Sequence, residues 1–220
     1  MPALLFHRPY SFLHFDITIC DELMKGIEIR RMFPSEAEIV AEVDSYAYQN
    51  DPMTVAIHQS SSEETRKKRE NSLIRMYSNN PQETFVAVYE GKIIGFIRSF
   101  PCTGLFKDLS YSEGEYEYIM SRKIEELSLE QRRKWWLMTM KIHDLDIPHS
   151  HVGPFGVLPQ FQGKGVGSKL IEDYFTRLEG VPSYLETFTA VNARFYENRG
   201  YELIVTDDVL GMKGYWLLRE

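Results

Sequence analysis

The chain has 220 residues, 43% of them hydrophobic, enough for one sizeable core or two small ones. Its net charge of −7 argues against a nucleic-acid binder, and no apolar run reaches the length of a membrane span. The two cysteines, Cys20 and Cys102, offer no disulfide framework, so a reducing cytoplasm is the expected location.

Residues 1–25 read as an N-terminal appendage. Pro2, His7, Pro9, His14 and Asp16 interrupt their apolar run, which lacks a signal-peptide core. The aromatics of residues 6–15 could cover a second subunit in a homodimer. Residues 26–220 read as a single domain. Ile27 to Met32 alternates apolar and polar side chains as a strand does. Ser35 with Glu38 predicts a capped helix through Ile39, Val43 and Tyr46, and Ser61 with Glu64 predicts another ending at Asn79-Asn80-Pro81. That second helix carries the basic run Arg66-Lys67-Lys68-Arg69 beside Glu63, Glu64 and Glu70, the pattern of a solvated face. Thr84–Tyr89 and Lys92–Ser99 predict a hairpin turning at Glu90-Gly91.

Residues 101–112 read as loop, and a long helical stretch follows from Glu113 to about His143, broken near Ser128. Its end gathers Trp135, Trp136, Met138 and Met140, a core or packing cluster or else a substrate wall. Glu113, Glu115 and Glu117 could attract a cationic amine or simply open that helix. A strand over 151–158, a glycine-rich turn and an amphipathic helix bearing Val166, Leu170, Ile171, Tyr174 and Phe175 come next. Strand Tyr184–Phe188, helix Asn192–Arg199 and strands near 201–205 and 213–218 close the chain. The order of elements implies a mixed α/β domain.

The turn is the chemically informative segment. Gly163, Gly165 and Gly167 lack side chains, so backbone N–H groups can crowd around a phosphate, and the following helix points its free amides and positive dipole end at the same place. Gln162, Lys164 and Ser168 can add side-chain donors. Purely steric need for glycine is the bland alternative. A Walker loop does not fit the spacing, and the dinucleotide Gly-x-Gly-x-x-Gly fails because its third glycine comes one residue early. Gln162-Gly163-Lys164-Gly165-Val166-Gly167 matches Gln/Arg-x-x-Gly-x-Gly/Ala instead.

This loop resembles the coenzyme A pyrophosphate loop of the GNAT superfamily of N-acetyltransferases. Tyr184-Leu185-Glu186-Thr187 and Asn192-Ala193-Arg194-Phe195-Tyr196-Glu197-Asn198-Arg199-Gly200-Tyr201 are similar to its fifth strand and Asn…Phe-Tyr-Glu…Gly-Phe signature, with Tyr201 in place of phenylalanine. His149-Ser150-His151-Val152-Gly153-Pro154 resembles the puromycin-acetyltransferase-like members. The resemblance implies a GNAT fold: a mixed α+β sheet of about six to seven strands flanked by helices, with a helical insertion at about 101–147. It also implies acetyl-CoA as acyl donor and a small amine as acceptor.

Site residues follow from the same resemblance. Phe155, Gly156 and Val157 would pair with the pantetheine arm, and Gly163, Lys164, Gly165, Val166, Gly167 and Ser168 would cradle the pyrophosphate. Asn192 would bond the coenzyme, although it is also a good helix N-cap. Tyr196 stands at the position of the family's general acid, or is a packing tyrosine. His151 stands where several relatives carry a base, or merely fills its strand. Glu186 is a further candidate for catalysis, for structure or for holding the substrate ammonium.

A metal site among His143, Asp144, Asp146, His149 and His151 is disfavoured, because no cysteine or His-Glu-x-x-His spacing joins them. No metal is expected. Neither cysteine lies near the motifs, so direct attack is expected over a covalent intermediate. Other readings are a protein or peptide acetyltransferase and a non-catalytic acyl-CoA-binding module.

Overall fold

The computed structural model describes residues 22–102 and 147–220. Most of the appendage and nearly all of the helical insertion, with the aromatic and acidic clusters assigned to them, lie outside these residues. Pro101 and Cys102, expected in a loop, instead extend a strand.

Seven strands form one sheet in the order β1-β2-β3-β4-β5-β7-β6. They are β1 (Glu28–Arg31), β2 (Thr84–Tyr89), β3 (Lys92–Cys102), β4 (His149–Val157), β5 (Ser183–Thr187), β6 (Glu202–Val209) and β7 (Met212–Arg219). Every neighbouring pair is antiparallel except β4 with β5. The mixed α+β architecture and strand number agree with expectation. The predicted hairpin forms at Glu90-Gly91, where both residues hold positive φ and so turn with the strands' own twist. Leu210-Gly211 makes the same kind of turn between β6 and β7. Leucine seldom takes that backbone conformation, which is why the second hairpin was not legible.

Helices α1 (Ala37–Ala47), α2 (Pro52–His58), α3 (Glu63–Asn79), α4 (Val166–Leu178) and α5 (Ala190–Glu197) flank the sheet. Their starts differ from the sequence expectations. The Ser35–Glu38 box does not form. Pro34–Glu36 makes a 3-10 turn, and the Glu36 carboxylate accepts the Phe33 N–H at 2.8 Å while pairing with Arg30 at 2.6 Å. Ser62, one residue later than predicted, caps α3 by accepting the Thr65 N–H at 3.2 Å. Helix α2 was missed, although Asp51 accepts the Thr54 N–H and Pro52 follows it, a usable start signal.

Helices α4 and α5 cover one face of the sheet. Val166, Leu170, Ile171, Tyr174 and Leu178 pack there on Ala87, Ile94, Ile97, Val152, Leu185 and Leu217. Leu23 is 5% exposed and joins this core. Each such buried aliphatic side chain contributes about 1.5–3 kcal/mol. Helices α1 and α3 cover part of the other face through Val40, Ala41, Val43 and Tyr77 against Val86, Ile93 and Phe96. Fully buried Asp44 ties these two helices together, accepting from Tyr77 Oη and Arg69 Nη2, each at 2.6 Å. Helix α2 seals the rest, with Met53 and Ile57 against Tyr184 and Trp216.

The sheet has one break. β4 and β5 pair only at Ser150–Ser183 and His151–Tyr184 and then part. Beyond that point β4 follows β3 as far as Val157 opposite Gly95, and β5 follows β7 as far as Thr187 opposite Tyr215. The register of β3 and β4 shifts between Ile97 and Ser99, a bulge that bends β4 where the two strands separate. A cleft opens between them.

Candidate active site

The β4 side of the cleft is a row of main-chain groups. Phe155 donates its N–H to Tyr48 Oη at 3.1 Å, and the Tyr48 hydroxyl donates to the Phe155 carbonyl at 3.0 Å. Both Phe155 groups therefore face the cleft, and by the alternation of an antiparallel ladder those of Gly156 face β3 opposite Phe96. Of the three residues expected to pair with a pantetheine arm, Phe155 and Val157 present backbone and Gly156 does not. Its missing side chain matters instead. A Cβ there would lie 2.8 Å from that of Ala47 and 3.0 Å from the Phe96 ring.

The glycine-rich turn ends the row. Gly163 and Gly165 have φ of 71° and 88°, and among the described residues no backbone acceptor meets the amides of residues 163–168. Val166, Gly167 and Ser168 open α4, so no preceding turn supplies acceptors for their N–H groups. Gln162 departs from expectation. Its Nε2 donates to the Val157 carbonyl at 2.9 Å, tying the turn to β4. Lys164 is exposed, with its ammonium 5.8 Å from the Phe161 ring centre. Asn192 is exposed and is not the cap of α5. Thr189 is, accepting the Asn192 N–H at 3.2 Å.

Two of the predicted catalytic residues meet directly. His151 Nε2 lies 2.9 Å from Glu186 Oε2, and both side chains are largely buried. The carboxylate oxygen accepts, so Nε2 carries the hydrogen of this bond. Phe100 and Tyr184 hold the imidazole at ring distances of 5.0 and 5.2 Å. Neighbouring His149 is 1% exposed and hydrogen-bonds the Ile147 carbonyl through Nδ1 at 2.8 Å; burial lowers its pKa.

Tyr196 reaches the cleft from the opposite face, on α5. It is 9% exposed, its ring 6.3 Å from that of Phe155. Burial raises its hydroxyl pKa, with Tyr48 and Glu186 adding to the shift and Arg199 opposing it. The hydroxyl therefore keeps its proton at neutral pH.

Cys102 is nearer to this chemistry than expected, since it pairs across the ladder with His149. Burial, aided by Glu186 and Glu83, pushes its thiol up to about 12, so the nucleophilic thiolate is suppressed. Among the described residues no three of His, Cys, Asp and Glu converge as a metal site would require.

The model of the acetyltransferase (GNAT) family matches residues 46–201, a span containing both walls of this cleft. The chain belongs to the GNAT family. Membership places it among the acetyltransferase enzymes, and GNAT enzymes use acetyl-CoA. Solved structures share the fold. The polyamine N-acetyltransferase of Drosophila melanogaster, described as catalysing the formation of N-acetylagmatine, is 19% identical with a TM-score of 0.66 and covers 87% of this chain and 98% of its own. The mosquito protein arylalkylamine N-acetyltransferase like 5b is 16% identical, with a TM-score of 0.61 and coverage of 88% and 99%. The PaiA N-acetyltransferase of Thermoplasma acidophilum, solved with coenzyme A, is 16% identical, with a TM-score of 0.53 and coverage of 88% and 98%. No curated protein matches the chain by sequence.

Two residues of this GNAT cleft carried no sequence signal. Tyr48 closes on Phe155 from 107 positions away, so its role is visible only in three dimensions. Arg199 donates to Ser168 Oγ at 2.6 Å across the join of α4 and α5. It lies inside the Tyr-Glu…Gly signature, but nothing in its spacing pointed to the loop.

Proposed function

We propose that this enzyme moves an acetyl group from acetyl-CoA directly to the amine of a small molecule. The observation that carries the reading is the His151–Glu186 pair on one side of the cleft with a protonated Tyr196 on the other. Phe155 and Val157 would hold the pantetheine arm along β4, the arm replacing the Tyr48 hydroxyl on Phe155. The amides of Gly163, Lys164, Gly165, Val166, Gly167 and Ser168 would grip the diphosphate, with Asn192 as a further contact. The fit rests on the open amides, the splayed strands and the two positive-φ glycines.

His151 takes the ammonium proton, directly or through water, while Glu186 fixes the ring and balances its charge. The freed amine nitrogen bonds to the thioester carbonyl carbon, and the carbon–sulfur bond breaks. Tyr196 gives its proton to the departing sulfur and is restored, through water, by the second proton that the acetylated nitrogen sheds. The acetylated amine, free coenzyme A and one proton passed to solvent complete the balance.

The amines named for the Drosophila and mosquito structures support a small acceptor. The His-rich start of β4 supports a place beside the puromycin-acetyltransferase-like members. No helix among the described residues is long and apolar enough to cross a membrane, which accords with a cytoplasmic enzyme. An amine panel assayed by thiol release from acetyl-CoA tests the proposal. Turnover with small amines is the expected result. Turnover only with peptides would move the acceptor class, and coenzyme binding without thiol release from any amine would leave a non-catalytic module.

A further inference from the structure

Arg199 is a partly buried cation whose bonds point at one place. The arginines at positions 30, 66, 69, 98 and 177 each pair with a carboxylate, whereas Arg199, like Arg31, Arg194 and Arg219, pairs with none among the described residues, in a chain of net charge −7. It is partly buried, and its Nε meets no acceptor. A desolvated guanidinium without a counter-anion is costly unless something supplies one. Its other bonds aim it at the start of α4. Nη1 donates to the Phe195 carbonyl at 2.8 Å, Nη2 donates to Ser168 Oγ at 2.6 Å, and the group stacks 3.7 Å from the Phe195 ring centre. That ring stands between Phe155, 6.2 Å away, and Gly167, where a Cβ would come within 3.8 Å of it. Arg199 thus backs the wall between the cleft and the glycine turn.

The bond to Ser168 has a direction. A guanidinium only donates, so the Ser168 oxygen is an acceptor and its own hydrogen remains available. Ser168 is the third residue of α4, among the helix-opening amides that have no backbone acceptor. We propose that Arg199 is a positioning residue for the coenzyme's diphosphate, holding the Ser168 hydroxyl as a donor toward it and placing a positive charge behind the amides of residues 163–168. This rests on the coenzyme-site reading above. It names the diphosphate as the anion that compensates Arg199.

The test compares acetyl-CoA with acetyl-pantetheine, which lacks the diphosphate, using an accepted amine. In Arg199→Gln the KM for acetyl-CoA rises about tenfold or more, the scale of one lost charge-assisted contact, while kcat at saturation and kcat/KM for acetyl-pantetheine stay unchanged. Arg199→Lys restores part of the loss. Ser168→Ala gives a smaller loss that adds little in the double variant, because the two groups act as one. Equal losses on both donors would reduce Arg199 to a structural prop of α5, and unchanged KM would remove it from the site. A loss that vanishes with 3′-dephospho-acetyl-CoA would reassign it to the 3′-phosphate and overturn the proposal. Should the glutamine variant fail to fold, Ser168→Ala and Arg199→Lys run against both donors decide alone. Failure of the wild type to bind coenzyme A would defeat the functional reading itself, whereas binding indifferent to Arg199 would defeat only this inference.

Discussion

The two walls of the cleft are built from different materials. The wall proposed for the coenzyme is main chain: the outward groups of Phe155 and Val157 and the amides of a glycine turn. The wall proposed for the acceptor is side chain: His151 on Glu186, with Tyr184 and Phe100 around the ring and Tyr48 above β4. A backbone site is specified by where side chains must be absent, so substitutions there act through geometry. A side-chain site is specified by functional groups, so substitutions there act on chemistry. The contrast can be broken by experiment.

The largest effects belong to chemistry. Tyr196→Phe keeps the ring that packs on Phe155 and Tyr201 and removes only the proton donor. It should lower kcat about a hundredfold or more, in the range of general-acid catalysis, with coenzyme affinity measured by calorimetry unchanged. A kcat left intact would make Tyr196 a packing residue. His151→Ala should cost about a hundredfold in kcat/KM for the amine. Its pH profile is the sharper reading. A general base must be unprotonated to accept the ammonium proton, so a rate that depends on one carries an acidic limb. In the variant that acidic limb should disappear, and its persistence would assign the base elsewhere.

On the coenzyme wall, geometry should dominate. Gly165 holds φ of 88°, and a Cβ there would come within 2.9 Å of Met24 Sδ. Gly165→Ala therefore strains the turn and pushes the end of the Met24 side chain aside, next to the Met24 and Ile27 carbonyls that Lys169 bonds. A stability loss of about 1 kcal/mol or more is expected in thermal melts, with a several-fold higher KM for acetyl-CoA and little change in kcat. Gly163 has a similar φ of 71° but open space around it. Alanine there should keep the backbone strain and lose the clash, a milder defect in the melting temperature.

This difference in material also explains what the sequence revealed. The strand, the glycine turn and the helix after it were legible because such a turn needs fixed residue types at fixed local spacing. His151 and Glu186 were each legible as candidates, but their pairing was not, because it depends on β4 and β5 lying parallel and in register 35 positions apart. Gln162 was misread as a phosphate donor because a pattern gives identity and not direction; its amide turns back to Val157. Helix starts slipped where two capping residues competed, as at Ser61 and Ser62, and where Pro34 let Glu36 bond Phe33 ahead of the expected box. Tyr48 was out of reach, since nothing near Tyr46-Ala47-Tyr48 encodes a partner on β4.

Tyr48 joins the two walls and gives the smallest and most diagnostic effect. In the free protein its hydroxyl satisfies both the N–H and the C=O of Phe155, the groups assigned to the pantetheine arm. A backbone N–H so engaged must release the hydroxyl before it can pair with the coenzyme. Tyr48→Phe removes the competitor and leaves the ring, which sits 5.0 Å from the Arg69 guanidinium. The free protein then loses about 0.5–1.5 kcal/mol of hydrogen bonding, while the coenzyme-bound state loses nothing there. Melting without coenzyme should fall by that amount, and coenzyme A should bind a few-fold to about tenfold more tightly, because both changes have one origin. Equal and opposite shifts would show that side chain and coenzyme share one seat on β4. Weaker binding would place the hydroxyl on the coenzyme itself, and the acceptor wall would then begin one residue layer further from the strand.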